Sequence, residues 1–165
     1  MVTANYWKLL GGGQYYLGTA AGTVNLGIVY TDGNTDTTYI ANGEYGTKNF
    51  SFNTEMGCQL GSGTGEFSEN DYTLANNITS ALSSVSMSMN YEYNEGLKRQ
   101  FTITGQNNES SDITIKQVGL VKYLHYGNNS ASTKGALMAE INLSEPVTVP
   151  GNGGRFTINF NWTES

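Results

Sequence analysis

The amino-acid sequence predicts an all-β fold, an antiparallel β-sandwich of jelly-roll-like architecture with at most one short helix. The first indication is that apolar and polar residues alternate along several short segments, as they do in strands with one buried face. The second is composition: glycine contributes 21 of the 165 residues and aromatic residues 12%, whereas charged residues contribute only 13%. Such a profile suits short strands joined by tight turns and suits a helical bundle poorly.

The N-terminal segment predicts an arm that precedes the sandwich. Glycines at positions 11–13 indicate a boundary between an arm over residues 1–13 and a single β-sandwich domain over residues 14–165. The arm carries four large apolar residues, Tyr6, Trp7, Leu9 and Leu10. These side chains would bury little surface if the arm hung free, so we expect them to dock on a neighbouring subunit.

A hairpin is predicted next. Apolar residues alternate with other residues from Val24 to Tyr30, and a second short strand is expected over residues 37–41. Asp32 and Gly33, which lie between the two segments, are a strong signal for a tight turn.

The same turn contains a partial match to a calcium-binding loop. Asp32, Asn34 and Asp36 occupy alternate positions, as the first oxygen ligands of such loops do. Thr37 stands where the loop requires glycine, and the flanking residues resemble strands. We therefore favour a hairpin turn over a calcium site, and we expect no metal and no cofactor elsewhere in the chain.

Further strands are expected along the rest of the chain. Their alternating positions fall within residues 50–52, 87–93, 101–103, 113–120, 137–143 and 156–162. In the segment before residue 120, the apolar positions change face near Lys116 and Gln117, which predicts a β-bulge there.

The helical signal is confined to residues 68–82. Apolar residues recur every four positions from Leu74 to Leu82. Ser68 followed by Asp71 resembles a capping box, in which each side chain bonds to the backbone N–H of the other residue. Polar pairs interrupt the pattern, so we expect a short helical turn or an ordered loop.

The last strand has the clearest alternation. One of its faces carries Phe156, Ile158, Phe160 and Trp162. Residues 147–149 lie between two prolines and predict a short edge element, because proline lacks the N–H that a central strand uses. Glycines over 151–154 predict a turn that brings the last strand into a sheet.

The charge and the cysteine count argue against several classes of protein. The net charge is −6 and the eight basic residues are scattered, so a nucleic-acid-binding surface is not expected. No apolar run approaches the roughly 20 residues of a membrane-spanning helix, and no secretory signal is predicted. Cys58 is the single cysteine and cannot form an internal disulfide, which favours synthesis in a reducing cytoplasm.

Catalysis is not expected from this sequence. His125 is the one histidine, and no nucleophile motif places Cys58 or a serine beside it. We therefore predict that neither His125 nor Cys58 has a catalytic or metal-binding role. Carboxylates such as Glu92 and Glu95 would serve a glycosidase only at a defined separation across a cleft, which a sequence does not show.

Tyrosine is abundant, with 11 residues in the chain. Tyr123 and Tyr126 are candidate interface residues, because tyrosine offers a wide contact area at low entropic cost. The alternative is that most of the tyrosines line the core and place their hydroxyls at its rim. A sugar-binding platform is a third interpretation.

Three segments of the sequence are informative when they are taken together: LGSGTGEFSENDYTLANNI (60–78), ITIKQVGLVKYL (113–124) and ALMAEINLSEPVTVPGNGGRFTINFNW (136–162). In the same order they resemble segments of bacteriophage virion proteins, namely a Gly-Ser-Gly-Thr loop leading to Asp-Tyr-x-Leu, a strand, and a closing turn and strand. Two positions depart from that pattern. Gln117 replaces an acid, and Glu140 stands where a basic residue is common, a pair of changes that would compensate in charge.

The resemblance implies a non-enzymatic structural component of a virion, first of all a capsid decoration or head-fibre protein on the outer surface. The alternative is a tail or neck accessory protein, or a receptor-binding module that recognises carbohydrate. The resemblance further implies a place in the virion after synthesis in the bacterial host cytoplasm, and contact with the major capsid protein, so the capsid shell is a second candidate partner of the N-terminal arm. A homo-oligomer such as a trimer is expected because strand edges are safer when covered and because contacts that do not close would make filaments. A net charge of −6 suits the outside, because packaged DNA would repel it.

Overall fold

In the computed structural model the described residues form two antiparallel β-sheets and one short helix, which confirms the predicted all-β sandwich. The structure describes residues 1–16, 22–24, 26–35, 38–40, 55–93, 97–126 and 129–163. The elements are α1 (Ala4–Tyr16), β1 (Gly22–Val24), β2 (Thr38–Ile40), β3 (Met56–Gly61), a 3-10 turn (Thr79–Ala81), β4 (Leu82–Tyr93), β5 (Leu97–Asn107), β6 (Ile113–Tyr126), β7 (Asn129–Val149) and β8 (Arg155–Thr163). The strand predicted over residues 50–52 lies outside the described residues.

The larger sheet is built around β6. β7 pairs with β6 along nearly its whole length, β3 pairs with residues 117–122, and β2 pairs with Tyr126. The register between β6 and β7 shifts between Ile115 and Gln117, which confirms the β-bulge predicted there. Residues 147–149 pair with the first residues of β6 at the edge of the sheet, as predicted, but they are the end of the 21-residue strand β7 and not a separate short element.

The smaller sheet has the strand order β4-β5-β8. On β8, Phe156 and Ile158 are buried and Thr157 and Asn159 are exposed, which confirms the alternation predicted for the last strand. The Phe160 ring stacks on that of Phe101, with the ring centroids 4.9 Å apart. The Trp162 side chain lies outside the described part of the structure.

The core lies between the two sheets. Its largest cluster takes residues from both sheets and from the edge element, namely Leu60, Leu82, Ile103, Ile115, Val118, Val149, Phe156 and Ile158. Burying one such side chain contributes about 1.5–3 kcal/mol, so this cluster is the main force that holds the sheets together.

The helix α1 was not predicted, and the glycines at 11–13 lie inside it rather than at a boundary. Glycine disfavours a helix by about 1 kcal/mol per residue relative to alanine, so tertiary contacts must compensate. The segment before α1 runs along β7, where Val2 bridges Ala139 and the Thr3 N–H donates to the Met138 carbonyl over 2.9 Å. The N-terminal residues therefore pack on their own domain.

Of residues 68–82, where a short helical turn or an ordered loop was predicted, residues 68–78 belong to a loop that begins at residue 62, and the helical turn is limited to Thr79–Ala81. The Ser68 N–H donates to Asp71 Oδ2 over 2.8 Å, so half of the capping box forms although no α-helix follows. Leu74 instead leaves the helical path and lies over Gly119, where its N–H donates to Gln59 Oε1 over 3.0 Å. The loop thereby covers the face of the larger sheet that points away from the smaller one.

Candidate functional site

The predicted contact residues of the N-terminal segment divide into exposed and buried ones. Trp7 is 61% exposed and Leu10 is 36% exposed, whereas Leu9 is fully buried. Leu9 packs in a cluster with Ile28, Tyr30, Leu124, Ala136 and Met138. The expectation that Leu9 docks on a neighbouring subunit is therefore wrong, because helical periodicity turns it toward its own sheet.

Tyr6 and Trp7 are brought together on α1. Their rings meet edge to face with centroids 5.2 Å apart, and Tyr6 is partly buried against the Leu9 cluster. Tyr6, Trp7 and Leu10 form what we call the N-terminal patch. Its outer members are large apolar side chains held on a helix, and large exposed apolar groups of this kind are typical of interaction sites.

Polar contacts fix the helix that carries the patch. The Asn5 side chain donates to the Val29 carbonyl over 2.7 Å and accepts from the Val29 N–H over 3.0 Å. The Thr3 hydroxyl donates to the Leu137 carbonyl over 2.6 Å, and the Lys8 ammonium donates to the Gly27 carbonyl over 2.7 Å. The patch is thus presented on a scaffold that is already ordered.

Replacing Leu9 and replacing Trp7 should have different effects on stability, because Leu9 is buried and Trp7 is exposed on the same helix. We expect Leu9→Ala to lower the free energy of unfolding by about 2 kcal/mol, because it leaves a cavity beneath α1. The matched change Trp7→Ala, on the exposed side, should alter it by less than about 0.5 kcal/mol. Urea denaturation of both variants measures the difference, and equal losses would show that Trp7 packs against the domain.

Tyr123 lies on β6 and is 41% exposed. A Cβ added to Gly57 would lie 2.6 Å from the Tyr123 ring, and one added to Gly135 would lie 3.4 Å from it. The ring therefore lies across glycines of the two neighbouring strands. Among the described residues no ring contact joins Tyr123 to the N-terminal patch, and the Tyr126 side chain is outside the described part of the chain.

The calcium candidate is a turn held by its own hydrogen bonds. Val29 bridges Thr35, which confirms a hairpin turn between them. The Asn34 N–H donates to Asp32 Oδ1 over 2.9 Å, and Lys134 Nζ lies 3.6 Å from Asp32 Oδ2. These contacts, the Asn34 bonds foremost, lower the pKa of Asp32. Asp36 lies outside the described residues.

His125 and Cys58 do not form a nucleophile–base pair. Cys58 pairs in register with Leu120, and positions 120 and 125 of β6 point to opposite faces of the sheet. Burial raises the pKa of the Cys58 thiol to about 11, so it is protonated and poorly nucleophilic at neutral pH. His125 is 5% exposed, and its Nε2 lies 3.4 Å from Glu55 Oε2, a partner that the sequence did not indicate.

Two charged side chains are buried in the larger sheet without having been predicted there. Burial lowers the pKa of Lys122 to about 8, against the opposing effect of the Glu55 carboxylate. Glu140 is 1% exposed, and burial together with the Asp71 carboxylate raises its pKa to about 7. Glu140 Oε1 has no hydrogen-bond partner among the described residues.

The two departures from the virion-protein pattern lie on one face. Gln117 pairs with Asn142 and Glu140 with Gly119, so the Gln117 and Glu140 side chains are diagonal neighbours across β6 and β7. Both are buried, and the Gln117 amide donates to Asn142 Oδ1 over 3.0 Å. The sequence comparison pointed to Gln117 and Glu140, but it did not predict that both side chains are buried. They are buried because the loop over residues 62–78 covers this face of the sheet.

The structure thus defines an antiparallel β-sandwich that carries the exposed N-terminal patch on a packed helix. Comparison with protein-family models, curated proteins and solved structures finds no match to this chain. Within the described ranges, no helix combines the length and the apolar character needed to cross a membrane.

Proposed function

We propose that this protein is a non-enzymatic structural component of a bacteriophage virion, bound to the outer surface of the particle as a capsid decoration or head-fibre protein. One observation carries the proposal. The three segments that resemble virion proteins, residues 60–78, 113–124 and 136–162, pack against one another in a single unit. A scattered chance likeness has no reason to coincide with one contiguous part of a fold.

The contacts within that unit are direct. The first segment ends β3, which pairs with β6 in the second, and it continues into the loop whose Leu74 covers Gly119 of β6. The third segment pairs with β6 through β7, then crosses to the smaller sheet as β8. The likeness therefore follows the framework of the sandwich.

The N-terminal patch is the proposed attachment surface. Trp7 and Leu10 remain exposed on a helix that is already packed, so docking would bury them at little cost in ordering the chain. A homo-oligomer with closed symmetry, such as a trimer, fits a protein repeated on a particle surface, because open head-to-tail contacts would produce filaments.

The proposal is tested on purified particles. We expect the intact protein in their mass-spectrometric inventory, and we expect Trp7→Ala/Leu10→Ala to weaken attachment at least about tenfold, because both changes remove apolar contact area from the interface. Added back to particles that lack the protein, the variant should leave most sites empty while its thermal unfolding midpoint stays unchanged.

Tyr72→Ala is the matched control, since Tyr72 is a 41% exposed aromatic residue outside the patch. It should attach as the intact protein does. Full occupancy by the Trp7→Ala/Leu10→Ala variant would overturn the patch as the anchor, whereas absence of the intact protein from particles would overturn the virion function itself.

A further inference from the structure

A groove of about 440 Å³ lies on the smaller sheet, whereas the N-terminal patch lies on a helix that packs against the larger sheet. It is lined by Ser84, Thr104, Gly105, Gln106, Arg155, Phe156 and Thr157. This volume is within the range of small-molecule sites, roughly 300–1,000 Å³. The side chains on the exposed side of the groove are hydroxyls, the Gln106 amide and the Arg155 guanidinium.

A β-bulge opens the groove. Ser83 pairs with Gln106 and Ser86 with Thr104, so two residues of β4 lie opposite the single residue Gly105 of β5. Ser84, in the bulge, has a φ of 50°, a left-handed conformation that is costly for a residue other than glycine. Bulges and strained residues of this kind are frequent beside binding sites.

Gly105 gives the groove its floor. A Cβ at this position would lie 2.6 Å from the Phe156 ring, so a side chain larger than that of glycine does not fit. The ring is 6% exposed and packs in the core between the sheets, so Gly105 and Phe156 border the groove through their backbone while the side chains of Arg155 and Thr157 lie on its exposed side. On one wall the Ser86 and Thr104 hydroxyls are 2.9 Å apart and continue the row of hydrogen-bonding groups.

Arg155 provides the charge. It is exposed, and among the described residues it makes no hydrogen bond or ion pair. None of the seven residues that line the groove is acidic, although the chain as a whole carries a net charge of −6. A cation left unpaired among neutral polar groups is complementary to a single anionic group on an otherwise polar ligand.

We propose that this groove binds a saccharide that carries a carboxylate. The planar guanidinium of Arg155 pairs with the carboxylate through two parallel hydrogen bonds, a geometry that arginine favours. Side chains of Ser84, Thr104, Gln106 and Thr157 bond to the hydroxyls of the sugar ring. Saccharide binding does not depend on the proposed attachment to a virion, because all seven residues that line the groove belong to one copy of the chain.

The test is a titration of the isotopically labelled full chain, followed by amide chemical shifts, at an ionic strength that screens the net charge. D-glucuronate should shift the amides of residues 84, 104–106 and 155–157, and D-glucose should bind at least about tenfold more weakly, because it lacks the charge-assisted pair. Equal affinity for the two sugars would overturn the proposal, as would tighter binding of D-glucose 6-phosphate or an absence of binding.

Variants locate the contact. Arg155→Gln should weaken glucuronate binding at least about tenfold, and Arg155→Lys should restore only part of it, because an ammonium does not form the paired geometry. Lys116→Gln removes the same charge from β6 in the other sheet and should bind as the intact protein does. Arg155 is exposed, so we expect Arg155→Gln to fold, and a dispersed amide spectrum verifies that it does. An unchanged affinity of the folded variant for glucuronate would overturn the proposed role of Arg155.

Discussion

Glu140→Gln is expected to stabilise the protein by about 3 kcal/mol at about pH 8 and to change its stability little at about pH 4. Glu140 is 1% exposed, and burial followed by the Asp71 carboxylate raises its pKa from 4.5 to about 7. The free energy follows from the shift, since each pKa unit corresponds to about 1.4 kcal/mol.

The direction follows from proton binding. Between pH 4.5 and about 7 the folded protein holds the Glu140 proton and the unfolded chain does not, so stability falls as the pH rises through this window. Below the window both states are protonated, and a buried neutral carboxyl resembles the amide that replaces it. Above the window the folded wild type carries a buried carboxylate, whereas Glu140→Gln does not.

Denaturant unfolding of both proteins across this pH range measures the difference. Glu145→Gln is the matched control, because Glu145 is an exposed glutamate on the same strand, and it should change stability by less than about 0.5 kcal/mol at either end. A difference between Glu140→Gln and wild type that does not grow with pH would contradict a buried, proton-holding Glu140.

The strands were predictable because their signal is local. Alternation within β8 and the change of face near Lys116 can be read from neighbouring residues, and the structure confirms both. The tight turn between Val29 and Thr35 was predictable for the same reason, since Asp32 and Gly33 specify it through their own conformational preferences.

The helix α1 and the groove were not predictable because contacts distant in sequence determine them. Leu9 and Asn5 stabilise a helix that the glycines at 11–13 disfavour, and their partners lie in other elements. The groove requires the register that sets Arg155 beside Gln106 and the bulge that displaces Ser84. Register is a property of two paired strands, so the alternation along one strand does not indicate it.

The largest loss of stability is expected from Asn107→Ala, at about 4 kcal/mol, because this side chain joins two of the connections that run between the sheets. Asn107 is fully buried at the end of β5. Its amide donates to the carbonyls of Ser111, Val149 and Pro150 over 2.9, 3.1 and 3.2 Å. Its side-chain oxygen, Oδ1, accepts a hydrogen bond from the Glu109 N–H over 2.9 Å.

These bonds hold the turn between β5 and β6 against the turn between β7 and β8. Within the second turn, Gly151 has no room for a side chain beside the Ser110 carbonyl, so the two turns are in close contact. Alanine would leave the buried Val149 carbonyl and three partly buried groups without the partner that satisfies them, and a fully buried group of this kind costs about 1–3 kcal/mol. Water entering the corner would recover part of that loss.

Asn107→Asp removes the N–H donors of the side chain but keeps its size and shape. It retains the oxygen that accepts from Glu109, but at neutral pH it directs a carboxylate at three carbonyl oxygens, so we expect a loss at least as large as that of Asn107→Ala. Asn90→Ala, at an exposed position on β4, should cost less than about 0.5 kcal/mol in the same urea titration. If Asn107→Ala unfolded at the wild-type urea midpoint, the corner would not depend on these bonds, and the crossing between sheets would have to be held by the apolar core alone.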